Sequence, residues 1–410
     1  MAERIRIEAL GARGDGVGPG PVFVPYTLPG ETALVEREGA RARLLAVEDP
    51  SPDRIEPFCP YFFQCGGCLT QHLASEPYAA WKQGLVVEAL RRARIEAEVA
   101  PLVDAHGEGR RRLTFHARHT PEGMRVGFMV LRTHDLVAIT HCPIGEPALL
   151  PSPGAALALA RRLERSRKPL DIQVTATGSG LDIDIRGHGE ASPKLRQALV
   201  AAADELDLAR LSLHGDIVVE RRQPTVIMGR AALALPPGGF LQATRAGEET
   251  LAGLVVEACG GARRVADLFA GCGPFALRLA ERAEVHAVET DRAALQALDR
   301  AARGTPGLRR VTVEPRDLFR RPLLPLELDR FDAVVIDPPR AGAEAQARQL
   351  ASSKVPLVAS VSCDPGTFAR DAELLLAAGF RLERVVPVDQ FRHSAHVELV
   401  GVFRRPKARR

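Results

Sequence analysis

Residues 265–275 read VADLFAGCGPF, an apolar strand pattern that runs into a glycine turn and the start of a helix. Glycine lets the backbone turn sharply and approach a ligand, and open α/β sheets bind ligands at the carboxyl ends of their strands. A dinucleotide fingerprint requires G-x-G-x-x-G, but the third glycine position after Gly271 and Gly273 holds Ala276. The stretch therefore predicts a nucleoside site in an α/β sheet and disfavours NAD.

Short apolar runs alternate with helical patterns on both sides of this stretch. Such alternation builds a parallel sheet with helices on both faces. The runs lie at residues 265–269, 284–288, 310–313, 333–336 and 357–361. Two last runs, 381–388 and 396–403, are separated by only a short polar loop, so we expect a terminal antiparallel pair. The C-terminal part is predicted to be a Rossmann-like α/β domain.

Two regions of different texture precede this domain. Residues 1–49 alternate β-type runs with Gly/Pro turns, which is typical of a small closed barrel of the oligonucleotide-binding kind or of another small β-domain. A proline-rich linker and the helical pattern 77–94 follow. Residues 113–234 mix strand candidates with helical stretches. The predicted fold class is therefore an α/β multidomain protein with an α+β middle domain.

The size and charge of the chain permit a polyanionic partner without requiring one. The 410 residues exceed what one hydrophobic core usually fills, and the net charge is only +4. Basic residues cluster at 110–132, 161–168 and 404–410, although solvated surfaces also give such runs. The sequence has no apolar run long enough to span a membrane, and the opening Met1–Arg4 lacks a signal-peptide core. We therefore expect a cytoplasmic protein without a membrane partner.

Four of the seven cysteines form a pattern typical of a metal site. Cys59, Cys65 and Cys68 follow C-x5-C-x2-C spacing, and Cys142 is a distant fourth. In a reducing compartment, clustered cysteines are more often metal or cluster ligands than disulfides. Four thiolates suit either an iron-sulfur cluster or structural zinc, and the spacing does not separate the two.

Acidic residues at the ends of successive predicted strands point to the ligand of the glycine turn. Glu289 is placed to hold ribose hydroxyls, Asp317 to take an adenine amino group, and Asp337 ends the fourth unit in Asp-Pro-Pro-Arg. A nucleoside held without a phosphate-cradling loop indicates S-adenosylmethionine. Enzymes that methylate base amino groups place an aromatic residue after a similar Asp-Pro-Pro, whereas Arg340 follows here, so amino methylation is the second interpretation.

Cys363 stands apart from the other cysteines, between a strand pattern and a helix start. A helix N-terminus lowers the pKa of a nearby thiol, so we expect a reactive thiolate there. Glu398, a carboxylate in an apolar run, is a candidate general base, because buried carboxylates are costly unless employed. A thiolate and a base beside S-adenosylmethionine suggest methylation at carbon 5 of uracil, which becomes nucleophilic only after a thiol adds to carbon 6.

Four ordered motifs together resemble the RNA (uracil-5-)-methyltransferase family over nearly the whole chain. They are CGGCLTQH at 65–72, DPPR at 337–340, SCDPGT at 362–367 and HSAHVE at 393–398. The resemblance implies a TRAM-like barrel at 1–49, a central iron-sulfur and RNA-binding domain at 50–75 and 102–238, and a class I methyltransferase domain at 76–101 and 239–410. It is closest to the TRAM-containing iron-sulfur enzymes of 23S rRNA, with tRNA as the alternative substrate and no obligate protein partner evident.

The resemblance also assigns roles to individual residues. It makes Cys363 the nucleophile and Glu398 the base that removes a proton. It makes Cys59, Cys65, Cys68 and Cys142 the ligands of a 4Fe-4S cluster, with zinc the less favoured alternative. The positions that it matches to cofactor or substrate contacts are Gln242, Phe269, Glu289, Asp317 and Asp337.

Three residues depart from the family pattern. Pro274 stands where Asn is usual, Asp364 replaces the Asn after the nucleophile, and Arg392 replaces the Pro before His393. A carboxylate at residue 364 would oppose thiolate formation unless it is paired. Two competing functions stay open at this point: an amino-directed nucleic acid methyltransferase, which would not need Cys363, and a noncatalytic RNA-binding or iron-sulfur sensing protein.

Overall fold

A curled six-stranded sheet begins the chain in the computed structural model, which describes residues 2–163 and 169–406. Its strands are β1 (Ala2–Arg6), β2 (Ala9–Leu10), β3 (Asp15–Gly18), β4 (Val22–Pro25), β5 (Thr32–Glu38) and β6 (Arg41–Asp49). In the order β1-β5-β6-β4-β3-β2, the two edges adjoin in sequence. Just after β1, the Ile7 amide donates to Glu31 O, and the Glu8 amide donates to Val17 O, so one stretch of chain links both edges. The sheet curls back on itself, while its identity as a TRAM barrel stays a prediction.

A helix and a short strand lead away from the cysteine-rich segment. They are α1 (Ser75–Arg92) and β7 (Val103–Asp104). Val86 and Leu90 on α1 are buried in the apolar core of the C-terminal domain. The helix that follows the cysteines therefore packs on the C-terminal domain.

A seven-stranded sheet forms the middle of the chain. Its helices α2 and α3 share one core with the buried faces of the central strands. The strand order is β10-β9-β8-β11-β12-β13-β14, and every neighbouring pair is antiparallel except β12 with β13. The elements are β8 (Arg112–Thr120), β9 (Gly123–Met129), β10 (Leu136–Ala138), a 3-10 turn (Pro147–Leu149), α2 (Ser152–Arg162), β11 (Leu170–Thr177), β12 (Gly180–Arg186), α3 (Pro193–Glu205), β13 (Arg210–Leu213) and β14 (Asp216–Glu220). The basic run predicted at 161–168 lies mostly outside the described residues, as does the end of the run at 404–410.

A β-hairpin, β15 (Thr225–Met228) and β16 (Ala231–Ala234), connects the middle and C-terminal parts. Val226, Met228 and Leu233 are buried in the C-terminal core. The predicted boundary at residue 238 differs from this arrangement. The alternating apolar side chains of the hairpin find their buried surface on the C-terminal side, so 225–234 belong there by packing.

An eight-stranded sheet organises the C-terminal domain. The elements are α4 (Arg245–Ala258), β17 (Arg264–Leu268), α5 (Ala276–Leu279), β18 (Glu284–Glu289), α6 (Arg292–Gly304), β19 (Val311–Pro315), α7 (Pro325–Leu328), β20 (Ala333–Ile336), α8 (Glu344–Ala351), β21 (Leu357–Ser362), α9 (Pro365–Ala377), β22 (Arg381–Asp389) and β23 (Glu398–Arg404). Strands β17 to β21 are parallel in the order β19-β18-β17-β20-β21, and β23, β22 and β7 complete the sheet.

Helices cover both faces of this sheet. Helices α4 to α6 bury their apolar residues on one face, and α1, α8 and α9 do so on the other. The predicted antiparallel pairing of the last two runs is confirmed, although β23 begins at Glu398 rather than at His396. In the described parts of the chain, no helix combines the length and the apolar character needed to cross a membrane.

Candidate active site

A cavity of about 480 Å³ opens at the carboxyl ends of the parallel strands. Ligands bind there in open α/β sheets, because the loops that follow neighbouring strands converge at that edge. Most of the site residues predicted from the sequence line this one cavity. They are Gln242, Phe269, Glu289, Asp337, Cys363 and Glu398.

The glycine turn after β17 shapes one wall of the cavity. Phe269, Gly271 and Gly273 have φ angles of 62°, 53° and 90°. This left-handed region costs a non-glycine residue such as Phe269 about 1 kcal/mol or more, and such strain is found at ligand-binding turns. A side chain at Gly273 would strike Leu298, with only 2.3 Å between carbon atoms, whereas one at Gly271 would meet no protein atom within 4 Å. The two glycines therefore have different roles: Gly273 permits close packing against Leu298, and Gly271 leaves space for a ligand.

Glu289 is held rigidly at the end of β18. Its Oε2 accepts from the Gly271 amide at 3.0 Å. Its Oε1 accepts from the amides of Thr290 at 2.6 Å and Asp291 at 3.0 Å. Three amide donors fix the carboxylate in place, which suits a group that must accept hydrogen bonds from the two hydroxyls of a ribose.

Asp317 is the predicted cofactor contact that the structure places outside the lining of the cavity. Its Oδ1 accepts from the amides of Phe319 and Arg320, which it caps in a local turn. Phe319, which the sequence reading did not single out, does line the cavity, with its ring 5.5 Å from that of Phe269. An isolated aromatic residue in a loop gives no pattern, so the sequence held no signal for it.

Cys363 and Glu398 come together through strand pairing. Strands β21 and β23 are antiparallel, with Ser362 opposite Leu399. The ladder ends at this pair; Cys363 directly follows it on one strand and Glu398 directly precedes it on the other, and both line the cavity. The two residues that the sequence reading assigned to nucleophile and base therefore share one end of the cavity.

The electrostatics of the thiol contradict the sequence reading. Burial, followed by the carboxylates of Glu398 and Asp337, raises the pKa of Cys363 to about 11 instead of lowering it, while Arg340 acts in the opposite direction. The α9 N-terminus does not offset this effect. Its first free amides already donate to the Asp364 side chain, which caps the helix. The carboxylate at this unusual position is thus paired with the helix.

Burial also favours the protonated form of the carboxyl groups in the cavity. It raises the pKa of Glu398 to about 8, with a further contribution from Asp337. The pKa of Asp337 is raised to about 7 by burial and by Glu289. Behind them, Asp267 is fully buried, and burial raises its pKa well above the usual value. A cationic ligand would relieve this clustering of acidic groups.

Arg340 and His396 form the wall beside the thiol. Nη2 of Arg340 lies 2.9 Å from Nε2 of His396. Burial, with the charge of Arg340 next in size, lowers the pKa of His396 to about 4, so the ring is neutral at pH 7. Arg340 is thus a fixed positive charge near a neutral imidazole and can face a developing negative charge on a substrate.

The four clustered cysteines converge on a second pocket, which shares Phe240, Leu241, Gln242 and Phe391 with the first cavity. All four carry free thiols. The Gly67 amide lies 3.4 Å from the Cys65 sulfur. The pocket wall also holds the side chain of Gln71, whose Oε1 accepts from the Cys59 amide at 3.2 Å. Among the described residues, however, no three His, Cys, Asp or Glu side chains have the arrangement that holds a single metal ion.

Comparisons with known proteins agree with these features. The family model described as tRNA (Uracil-5-)-methyltransferase matches residues 306–406. An uncharacterized RNA methyltransferase of Brucella suis is 48% identical over 98% of this chain and 97% of its own. The 23S rRNA (uracil(1939)-C(5))-methyltransferase of Shewanella sediminis is 31% identical over 93% of this chain and 90% of its own.

The fold has a counterpart of the same extent. The tRNA (uracil-54, C5)-methyltransferase of Pyrococcus abyssi, in complex with S-adenosyl-L-homocysteine, covers 98% of this chain and 99% of its own with a TM-score of 0.76 at 22% identity. With full-length relatives at 31–48% identity, the chain belongs to the RNA (uracil-5-)-methyltransferase family and is an S-adenosylmethionine-dependent RNA methyltransferase.

Proposed function

We propose that this protein methylates carbon 5 of a uridine in structured RNA through a covalent adduct of Cys363, with Glu398 as the base. The observation that carries the proposal is that Cys363 and Glu398 line the same cavity as the glycine turn and Glu289. We assign cofactor binding to Gln242, Phe269, Glu289 and Asp337, and Asp317 to a position beside the site.

The reaction follows from the chemistry of uracil. Cys363, which is partly exposed, gives its proton to solvent, its sulfur bonds to carbon 6, and the electrons of the C5–C6 double bond shift into an enolate that Arg340 can face. When bound, the cofactor supplies an electrophilic methyl group to carbon 5. Glu398 then removes the carbon 5 proton, the C5–C6 double bond re-forms, and the C6–S bond breaks to release the thiolate.

The charge of the cavity suits this sequence. Deprotonation of Glu398 is needed before it acts as a base, and burial and Asp337 oppose that deprotonation. A positively charged sulfonium in the cavity would stabilise the carboxylates, so the base is set once the methyl donor is present. Gln242 donates to Asp337 at 3.2 Å and adds a fixed dipole between the proposed cofactor contacts.

The remaining regions supply the RNA-facing part of the proposal. We assign residues 1–49 to a TRAM-like barrel, 50–75 and 102–238 to a central RNA-binding domain, and 76–101 with 239–410 to the catalytic domain, with the 225–234 hairpin packed on the latter. Arg110 stacks over Phe391 at 5.7 Å, at the seam between the middle and catalytic parts. We place the enzyme in the cytoplasm, where its RNA substrates occur.

Unmodified 23S rRNA is expected to be methylated in preference to tRNA. The 23S rRNA enzyme of Shewanella sediminis covers nearly the full chain, whereas tRNA is the substrate named for the Pyrococcus protein at lower identity. The measurement is mass spectrometry of 5-methyluridine after incubation with unmodified transcripts of each RNA. 5-Methyluridine in tRNA alone would reverse the assignment, and a methylated amino group without 5-methyluridine would contradict the proposed chemistry.

We also propose that Cys59, Cys65, Cys68 and Cys142 hold a 4Fe-4S cluster. The four thiols line one pocket, and the side chain of Gln71, which accepts from the Cys59 amide, lies in the same wall. A single zinc ion draws four sulfurs to about 2.3 Å from one centre, whereas cluster ligands bind different irons and stand further apart. The cluster would join residue 59 to residue 142 and so fix the Arg110 segment beside the active site.

Protein purified without oxygen is expected to be brown and to contain about four irons and four sulfides per chain. Cys68→Ala should lose most of this iron, and Cys259→Ala, which alters a buried cysteine of the C-terminal core, should keep it. Iron, sulfide and zinc are measured directly, independently of turnover. Stoichiometric zinc without iron would overturn the cluster assignment.

A further inference from the structure

A fully buried glutamine, Gln390, lies between β22 and β23 and contacts both ends of the proposed site. Its Oε1 accepts from the Ala243 amide at 2.7 Å. Its Nε2 donates to Gln242 Oε1 at 2.6 Å and to Glu398 Oε1 at 3.2 Å. Gln390 therefore connects the candidate base to a candidate cofactor contact.

The backbone amide of Ala243 determines the direction of each hydrogen bond in this series of side chains. The Ala243 amide can only donate, so the Gln390 atom that faces it must be oxygen, and the amide nitrogen must face the other way. The Gln242 atom that receives this nitrogen must then be oxygen, so Gln242 directs its own nitrogen to Asp337 Oδ2 at 3.2 Å. One backbone amide thus orients N–H donors at two carboxyl groups.

Close packing holds Gln390 in this orientation. Gly247 lies in the first turn of α4, where a side chain would come within 2.7 Å of both Cβ and Oε1 of Gln390. Glycine inside a helix lowers stability relative to alanine, so its presence reflects the close approach of Gln390. Gln390 therefore packs directly against the first turn of α4.

We propose that Gln390 is a positioning residue for the catalytic base: it holds Oε1 of Glu398 and leaves Oε2 to take the proton from carbon 5. The inference rests on the proposed function. It concerns a step after covalent addition, so it predicts a defect in proton removal rather than in adduct formation.

The groups that face Glu398 make its ionisation sensitive to this contact. Asp337 and burial favour the protonated acid, and the hydrogen bond from Gln390 lowers the pKa, as do Arg340 and Lys82. The thiol of Cys363 shares the same end of the cavity. Loss of the Gln390 donor should therefore move the pKa of Glu398 upward and require a higher pH for activity.

Gln390→Leu tests this role with unmodified RNA and saturating cofactor. We expect kcat at pH 7 to fall about tenfold to hundredfold, the acid limb of the kcat profile to move to higher pH, and the Cys363–RNA adduct to accumulate in a single turnover. Gln390→Glu should acquire an additional loss of activity at high pH, because its ionised form repels Glu398. Gln346→Leu is the matched control. Gln346 is equally buried in the same domain, where it bonds only Leu323, so its loss should leave the pH limb in place.

Each result decides between alternatives. A raised KM for the cofactor, without adduct accumulation or a pH shift, would mean that Gln390 acts only through Gln242. Equal losses of activity in Gln390→Leu and Gln346→Leu would mean that Gln390 has a structural role. Either result overturns the inference. Absence of 5-methyluridine with the wild-type protein would instead refute the proposed function. A readout without turnover separates these cases. Relative to Glu398→Gln, the wild type loses stability as pH rises above the pKa that Glu398 has in the unfolded chain, and the loss ends near its folded-state pKa of about 8; in the Gln390→Leu background the loss should continue to a higher pH. An unchanged end point would overturn the inference.

Discussion

Replacing Cys363 with alanine is expected to reduce 5-methyluridine formation by a factor on the order of 10⁴ or more. Carbon 5 of uracil is too weak a nucleophile until a thiol adds to carbon 6, and Cys363 lines the cavity together with the candidate base Glu398. The other cysteine that lines the cavity, Cys272, is buried within the glycine turn. The loss should appear in kcat, because the cofactor contacts remain. Mass spectrometry of single-turnover reactions measures it.

A covalent trap distinguishes the nucleophile from a residue that merely supports the site. RNA that carries 5-fluorouridine cannot lose its carbon 5 substituent to the base, so the wild type should form an adduct that survives denaturation, and Cys363→Ala should form none. Cys259→Ala removes a buried thiol from the C-terminal core and should retain the adduct. Methylation by Cys363→Ala at the wild-type rate would favour an amino-directed enzyme. No adduct with the wild type under turnover conditions would favour a binding protein.

The residues whose location can be predicted from the sequence are those at the ends of strands in the C-terminal domain. Glu289, Asp337 and Cys363 each end or directly follow an apolar run, and the carboxyl ends of parallel strands necessarily meet at one edge. Their convergence on one cavity is a consequence of topology, which periodicity reveals. The burial of Glu398 can be predicted as well, because a carboxylate within an apolar run indicates a buried acidic group.

Other features depend on contacts that no local pattern encodes. Gln390 meets Gln242 across 148 residues of sequence, and neither amide has a distinctive neighbourhood. The pKa of Cys363 was predicted with the wrong sign. The sequence shows where the helix begins, but it does not show that Asp364 caps the helix or that Glu398 and Asp337 face the thiol. Asp317 follows its strand as expected, yet its carboxylate caps a turn instead of facing the cavity.

Lys82→Met is expected to destabilise the catalytic domain by about 3–5 kcal/mol, the cost of leaving a buried charge without its partner. The Lys82 ammonium is fully buried and donates to Asp389 Oδ1 at 3.0 Å and to the His396 carbonyl. Tyr78 donates to the other Asp389 oxygen at 2.6 Å. These bonds fasten α1 to the two ends of the loop that carries Gln390. Urea unfolding followed by fluorescence reports the change locally, because the single tryptophan, Trp81, adjoins Lys82.

The cost should arise from the unpaired carboxylate and not from the shortened side chain. Lys82→Met combined with Asp389→Asn removes both charges and should recover part of the lost stability, as replacing both partners of a buried pair often does. Arg91→Met on the same helix breaks an exposed pair with Glu88 and should change the urea midpoint little. If Lys82→Met unfolded at the wild-type midpoint, α1 would be held by its apolar face alone. The Lys82–Asp389 pair would then position the loop that carries Gln390, and the variant should have a lower kcat while keeping its stability.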